Sequence, residues 1–171
     1  MKNQVLQYRF VLRVIAPPKG KVTMAKGKAK VLQIKQRGPY RKGRWGLANK
    51  RSPKIYIIKH DEEIIYVGIT ESLLSSRLRS GLTAVGKKGY YGYPWKILAK
   101  RDDSRVLDLF VYLFNSKERT EVIEAEVVYL IRSKTGRWPK YQTEIHFHYD
   151  ANRKEKGIAR RIYNRISASH K

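Results

Sequence analysis

The chain has 171 residues, enough for one domain with a real core. Its 38 Lys and Arg against 14 Asp and Glu give a formal net charge of +24, which points to a polyanionic partner, above all nucleic acid. The absence of cysteine excludes disulfides and thiolate zinc sites. The apolar start, Val5–Ala16, is interrupted by Gln7, Arg9 and Arg13 and is too short to span a membrane, so the default expectation is a cytoplasmic protein.

The first acidic residue is Asp61. Before it, Tyr8, Phe10, Leu12 and Val14 alternate with Arg9, Val11 and Arg13, the pattern of a half-buried strand that Pro17, Pro18 and Gly20 end. A basic loop with Lys19, Lys21, Lys26, Lys28 and Lys30 follows, then a second short strand at Val31–Ile34. Arg37, Arg41, Lys42 and Arg44 are interleaved with Tyr40 and Trp45, so cations that neutralise phosphates stand beside rings that can stack. Residues 1–52 are therefore read as a basic, DNA-binding β/loop extension, and residues 53–171 as the core.

Residues 54–79 read as strand, turn, strand, helix. Ile55–Ile58 and Ile64–Gly68 flank the polar stretch His60–Glu63, a hairpin signal, and Leu73, Leu74 and Leu78 are then spaced for one helix face. Tyr56 and Tyr66 share a face of the hairpin only if the loop holds an odd number of residues, such as Asp61–Glu63; a two-residue turn puts them on opposite faces. Next comes a glycine-rich aromatic loop, Gly89–Trp95, preceded by Lys87 and Lys88; its rings either contact DNA, add a tyrosine to the site, or plug the core. Val106–Phe114 reads as a buried strand, and a helix runs from there to Gly136 with Glu124 and Glu126 both off its apolar stripe. His146 and His148 alternate onto one strand face with no third ligand evident, and read first as structural histidines. Ile158, Ile162 and Ile166 form the stripe of a last amphipathic helix. The fold class expected is α+β, a small antiparallel sheet flanked by helices.

Lys54-Ile55-Tyr56, then Tyr66-Val67-Gly68, then Arg77 resembles the signature of the GIY-YIG nucleases, with Lys54 in place of the first glycine and Val67 in place of an isoleucine. The resemblance covers roughly residues 53–142. It extends to Val122-Ile123-Glu124-Ala125-Glu126-Val127-Val128, where Glu124 falls at the family's metal-holding position and Glu126 is the close alternative. It ends at Trp138-Pro139-Lys140-Tyr141-Gln142, where Gln142 replaces an asparagine. The resemblance implies that Tyr56 orients or deprotonates a water, Tyr66 supports it, Arg77 holds the scissile phosphate, and Mg²⁺ (or Mn²⁺) on the glutamate stabilises the leaving oxygen. The family's histidine or tyrosine four residues after the arginine is here Gly81, so Tyr90 or Tyr91 either fills in or the group is missing.

The function expected is thus a Mg²⁺-dependent endonuclease on double-stranded DNA. The compact plan most resembles the restriction branch of the superfamily, acting as a homodimer whose interface comes from Tyr8, Phe10, Leu12 and Val14 or from the last helix. The alternatives held open are a non-catalytic basic nucleic-acid-binding protein and a nuclease centred on His146 and His148.

Overall fold

The computed structural model describes residues 6–15, 30–37, 46–84, 92–98, 105–115, 117–143, 145, 147 and 150–168. The fold is α+β, as the periodicities imply. Five strands form one antiparallel sheet: β1 (Leu6–Ile15), β2 (Lys30–Arg37), β3 (Lys54–His60), β4 (Glu63–Thr70) and β5 (Arg105–Leu113), in the order β2-β1-β5-β3-β4. The helices are α1 (Leu74–Thr83), α2 (Lys117–Thr135) and α3 (Arg153–Ser167), with short 3-10 turns at Gly46–Asn49 and Pro94–Leu98.

Strand alternation divides the apolar side chains between two cores. Phe10, Leu12, Tyr56, Ile58, Leu107 and Leu109 pack on one face against Leu74, Leu78 and Leu82 of α1 and against Tyr93 and Trp95. Ile55, Ile57, Val67, Phe110 and Tyr112 pack on the other against α2 and α3. Strand β3 is buried on both faces, which is why its sequence is an unbroken apolar run rather than an alternation. The two lysines that bound this run keep their amines paired. Lys59 donates to the carbonyl of Ile166 in the last turn of α3 (3.3 Å), the end of a helix where a cation is favoured.

Strands β1 and β2 of the N-terminal stretch belong to this sheet. Strand β1 pairs with β5 from Leu6↔Leu113 to Val14↔Arg105, and Phe10 and Leu12 are fully buried. Ile158, Ile162 and Ile166 are likewise buried, against α2. Phe10, Leu12 and the isoleucine stripe of α3, expected to contribute to a dimer interface, therefore pack within one chain. A bidentate pair, Arg9 Nε and Nη2 to Asp108 Oδ1 and Oδ2 (3.2 and 3.0 Å), ties β1 to β5, so this cation serves the sheet. Among the described residues no helix is long and apolar enough to cross a membrane.

The hairpin resolves the parity question by an unexpected route. Its turn has two residues, Asp61 and Glu62, with His60 opposite Glu63 and Asp61 at φ 52°. By itself that turn would send Tyr56 and Tyr66 to opposite faces. The register slips between Ile58 and Lys59, so that Lys59 pairs with Ile64 and Ile58 with Tyr66, leaving Ile65 as an extra bulged residue. Beyond the bulge Tyr56 pairs with Gly68, and Tyr56 and Tyr66 return to one face.

Candidate active site

Helix α1 carries Arg77 to the sheet, and two distant contacts fix where it starts. Its N-terminus has no side-chain cap of its own. Asn49 Oδ1 instead accepts the Ser75 N–H (2.9 Å). Lys54 Nζ donates to the carbonyls of Lys50, Ser52 and Ser72 (2.9, 2.6 and 2.9 Å), joining the entry of β3 to the turn before α1. Burial pushes this amine down to about 8, with Glu71 opposing. Three carbonyl acceptors match the three N–H groups of an ammonium, so the geometry suits the charged form. Lys54 is thus a fastening for the helix that bears Arg77.

Arg77 Nε donates to Tyr56 Oη (3.3 Å), Tyr56 Oη and Tyr93 Oη are 3.0 Å apart, and Tyr93 Oη donates to the Arg77 carbonyl (3.3 Å). Each hydroxyl has one proton to give. If Tyr93 gives its proton to the carbonyl, Tyr56 gives its own to Tyr93, and the three bonds close a ring that starts and ends on Arg77. Tyr66 completes the cluster, its ring centroid 5.9 Å from that of Tyr56 and 5.5 Å from that of Tyr93. The Arg77 guanidinium also lies over the Tyr93 ring, 5.7 Å from its centroid.

Tyr93 was not among the site residues expected from the sequence. It enters the ring because Gly81 and Gly92 leave room. A β-carbon on Gly81 would lie 2.1 Å from Tyr93 Cε2, and one on Gly92 would lie 2.1 Å from the Gly81 carbonyl oxygen. Gly92 also holds φ +77°, which suits glycine, and the Tyr93 N–H reaches the Gly81 carbonyl at 3.0 Å. The missing side chain at Gly81 was the available signal. Tyr90 and Tyr91, proposed for that gap, lie outside the described residues. Gly68 does similar work on β4: a β-carbon there would stand 2.7 Å from Tyr56 Oη and 2.8 Å from Tyr66 Cε1.

Glu124, half-buried on α2, is the carboxylate that senses this cluster. Burial pushes its acid up to about 8, Glu121 adds to the rise and Arg77 opposes it. The Tyr66 phenol is raised by burial, by Tyr56 and by Glu124, with Arg77 opposing. Glu126 stands ~200° further round the helix. Among the described residues Glu124 has neither a hydrogen bond nor an ion pair, and no group of three or more His, Cys, Asp or Glu gathers as a metal cluster. A single carboxylate can suffice for Mg²⁺, which keeps several waters and takes phosphate oxygens as ligands. Tyr56 is 0 % exposed, and its phenol is raised well above 10 by burial first, then by Tyr93, against the pull of Arg77.

Gln142 is placed as a support. Its Oε1 accepts the Val67 N–H (3.1 Å), while the neighbouring Tyr141 N–H donates to the carbonyl of the bulged Ile65 (2.9 Å). The segment 139–142 thus grips edge strand β4 on either side of Tyr66. Gln142 and Val67 are 75 residues apart in sequence, so no local pattern announced the pairing. The side chain of Arg37 and residues Arg41, Lys42, Arg44, Lys87, Lys88, Glu144, His146 and His148 lie outside the described residues.

No family model, no curated protein and no solved structure matches this chain.

Proposed function

We propose that the chain is a GIY-YIG-type endonuclease that hydrolyses phosphodiester bonds of double-stranded DNA with Mg²⁺ or Mn²⁺, in the manner of a site-specific restriction enzyme of the cytoplasm. The observation that carries this is the convergence of Arg77, three tyrosines and a glutamate that has no hydrogen bond or ion pair among the described residues, from five separate parts of a chain of net charge +24.

Arg77 offers a fixed guanidinium for the scissile phosphate, aimed by its bond to Tyr56 and by the backbone bond from Tyr93. A water oxygen attacks phosphorus, the bond to the 3′-oxygen breaks, and the products are a 5′-phosphate and a 3′-hydroxyl. Tyr66, half-buried, would orient that water. Tyr56 holds a neutral hydroxyl at neutral pH and acts as the hub that fixes Arg77. It becomes a base only when added positive charge lowers its pKa. Glu124 would hold the metal, which supplies counter-charge for the leaving oxygen. One such site cuts one strand, so a double-strand break calls for a homodimer on DNA or two sequential nicks.

The full burial of Tyr56 favours a second possibility, a non-catalytic basic protein that binds nucleic acid while the tyrosines serve as core. Incubation with supercoiled plasmid separates the two. Under the proposal, wild type converts plasmid to nicked and linear forms with Mg²⁺, EDTA stops it, and Arg77→Ala loses cleavage while keeping most DNA affinity, which the other cations supply. Binding without metal-dependent cleavage by wild type would leave the non-catalytic role.

A further inference from the structure

On the sheet face opposite Arg77, a cavity of ≈ 250 Å³ lies where the β3–β4 turn meets the C-terminal ends of α2 and α3. Its lining includes Trp138, Tyr163, Ile131, Lys59, Glu62 and Glu63. Trp138 is 41 % exposed and Phe147 57 % exposed, with ring centroids 6.4 Å apart, so two large rings stand in solvent at this edge. Cations surround them: the Arg132 guanidinium lies over the Trp138 ring at 5.5 Å, and Arg137 and Lys140 are exposed beside it. The cavity itself carries both signs, with Glu62 and Glu63 beside Lys59 and Arg137. Arg137 pairs with Glu63 (3.4 Å), and the Lys59 amine is held by the Ile166 carbonyl.

Carboxylates and cations side by side offer both acceptors and donors to the polar edge of a base. An exposed tryptophan offers a face for stacking, and a cationic rim suits the backbone on either side. The volume admits a single planar ring system and excludes a duplex. We propose that this cavity receives one unpaired nucleobase of the bound nucleic acid, stacked on Trp138, with Arg132 and Lys140 on the flanking phosphates. This rests on the nucleic-acid-binding part of the function proposed above, and not on cleavage. The site is physically joined to the tyrosine cluster, because the run that begins at Trp138 ends at Tyr141 and Gln142, which hold β4 around Tyr66.

The test uses the full chain in EDTA, with a labelled mixed-sequence single strand and the blunt duplex made from it, and reads affinity against salt. Stacking on an aromatic ring is sequence-tolerant and non-ionic. Trp138→Ala should therefore weaken single-strand binding about tenfold with an unchanged salt slope, and change duplex binding by less than about twofold. Trp138→Phe should retain most of the affinity. Thr135→Trp, which fills the cavity from the end of α2 and leaves Trp138 in place, should give the same selective loss. An unaltered single-strand affinity in both Trp138→Ala and Thr135→Trp, or an equal loss on both substrates, would overturn the pocket. If wild type binds neither substrate, the nucleic-acid function itself falls. Duplex binding and cleavage with no Trp138 effect removes only the pocket.

Discussion

The ring of Tyr93 occupies the place where a side chain on Gly81 would stand, with a β-carbon there only 2.1 to 2.5 Å from three of its ring atoms. A tyrosine delivered by a loop thus takes a position that the helix itself leaves vacant. Its hydroxyl joins Tyr56 to the backbone of Arg77. Stacking of the ring on Trp95, with centroids 4.8 Å apart, limits how far it can retreat.

Gly81→Ala should accordingly overpack the cluster and cost about 1–3 kcal/mol. For a chain of this size that lowers Tm by roughly 2–4 °C per kcal/mol. Tyr93→Phe keeps the ring but leaves the Tyr56 hydroxyl without its acceptor, at a cost of about 1–3 kcal/mol. Both should reduce plasmid cleavage well below wild type. Thermal melts read beside cleavage rates check this, and full activity in Tyr93→Phe would show the hydroxyl ring to be incidental.

Glu124 ties stability to pH. Its folded-state pKa is raised from 4.5 to about 8. Below the lower value both folded and unfolded chains hold the proton. Between the two values the unfolded chain has lost it while the folded chain keeps it, so stability falls as pH rises and levels off above about 8. Glu124→Gln carries no such cost. It should melt higher than wild type at pH values above the raised pKa, match it in acid, and cut DNA slower by orders of magnitude. Glu126→Gln should be close to wild type in all three. Normal cutting by Glu124→Gln together with loss in Glu126→Gln would move the metal ligand by two residues.

Gln142 acts through the acceptor oxygen that holds Val67. Gln142→Ala should strand that N–H, cost about 1–3 kcal/mol and speed hydrogen exchange at the Val67 amide. Gln142→Glu keeps an acceptor at the same reach and should restore protection. If exchange at Val67 is as slow in the alanine variant as in wild type, β4 does not depend on this hydrogen bond.

Under the proposed function, the basic N-terminal side chains also have a role in binding DNA. Neutralising Arg37, Arg41, Lys42 and Arg44 together should weaken DNA binding and flatten its salt dependence by about 0.9 for each phosphate that these cations no longer neutralise. Binding isotherms over a salt series measure this slope. An unaltered slope would assign those charges to solvent.

The strands and helices were legible because each is written in a local period. The alternation from Tyr8 to Val14, the unbroken apolar run of β3 and the isoleucine stripe of α3 each specify their own element, and opposite faces of one sheet need only that much to acquire two cores. Tyr56, Tyr66, Arg77 and Glu124 were legible as candidates only through the resemblance to the GIY-YIG signature, since helical periodicity did not choose between Glu124 and Glu126. What brings them to bear on each other was decided elsewhere. The bulge at Ile65 sets the face of Tyr66, Lys54 and Asn49 set the start of α1, Gly81 admits Tyr93, and Gln142 secures β4. Each of these joins residues from different elements or shifts a register by one. A sequence period records which way a side chain points along its own strand or helix, whereas close packing between elements decides which distant atom it meets.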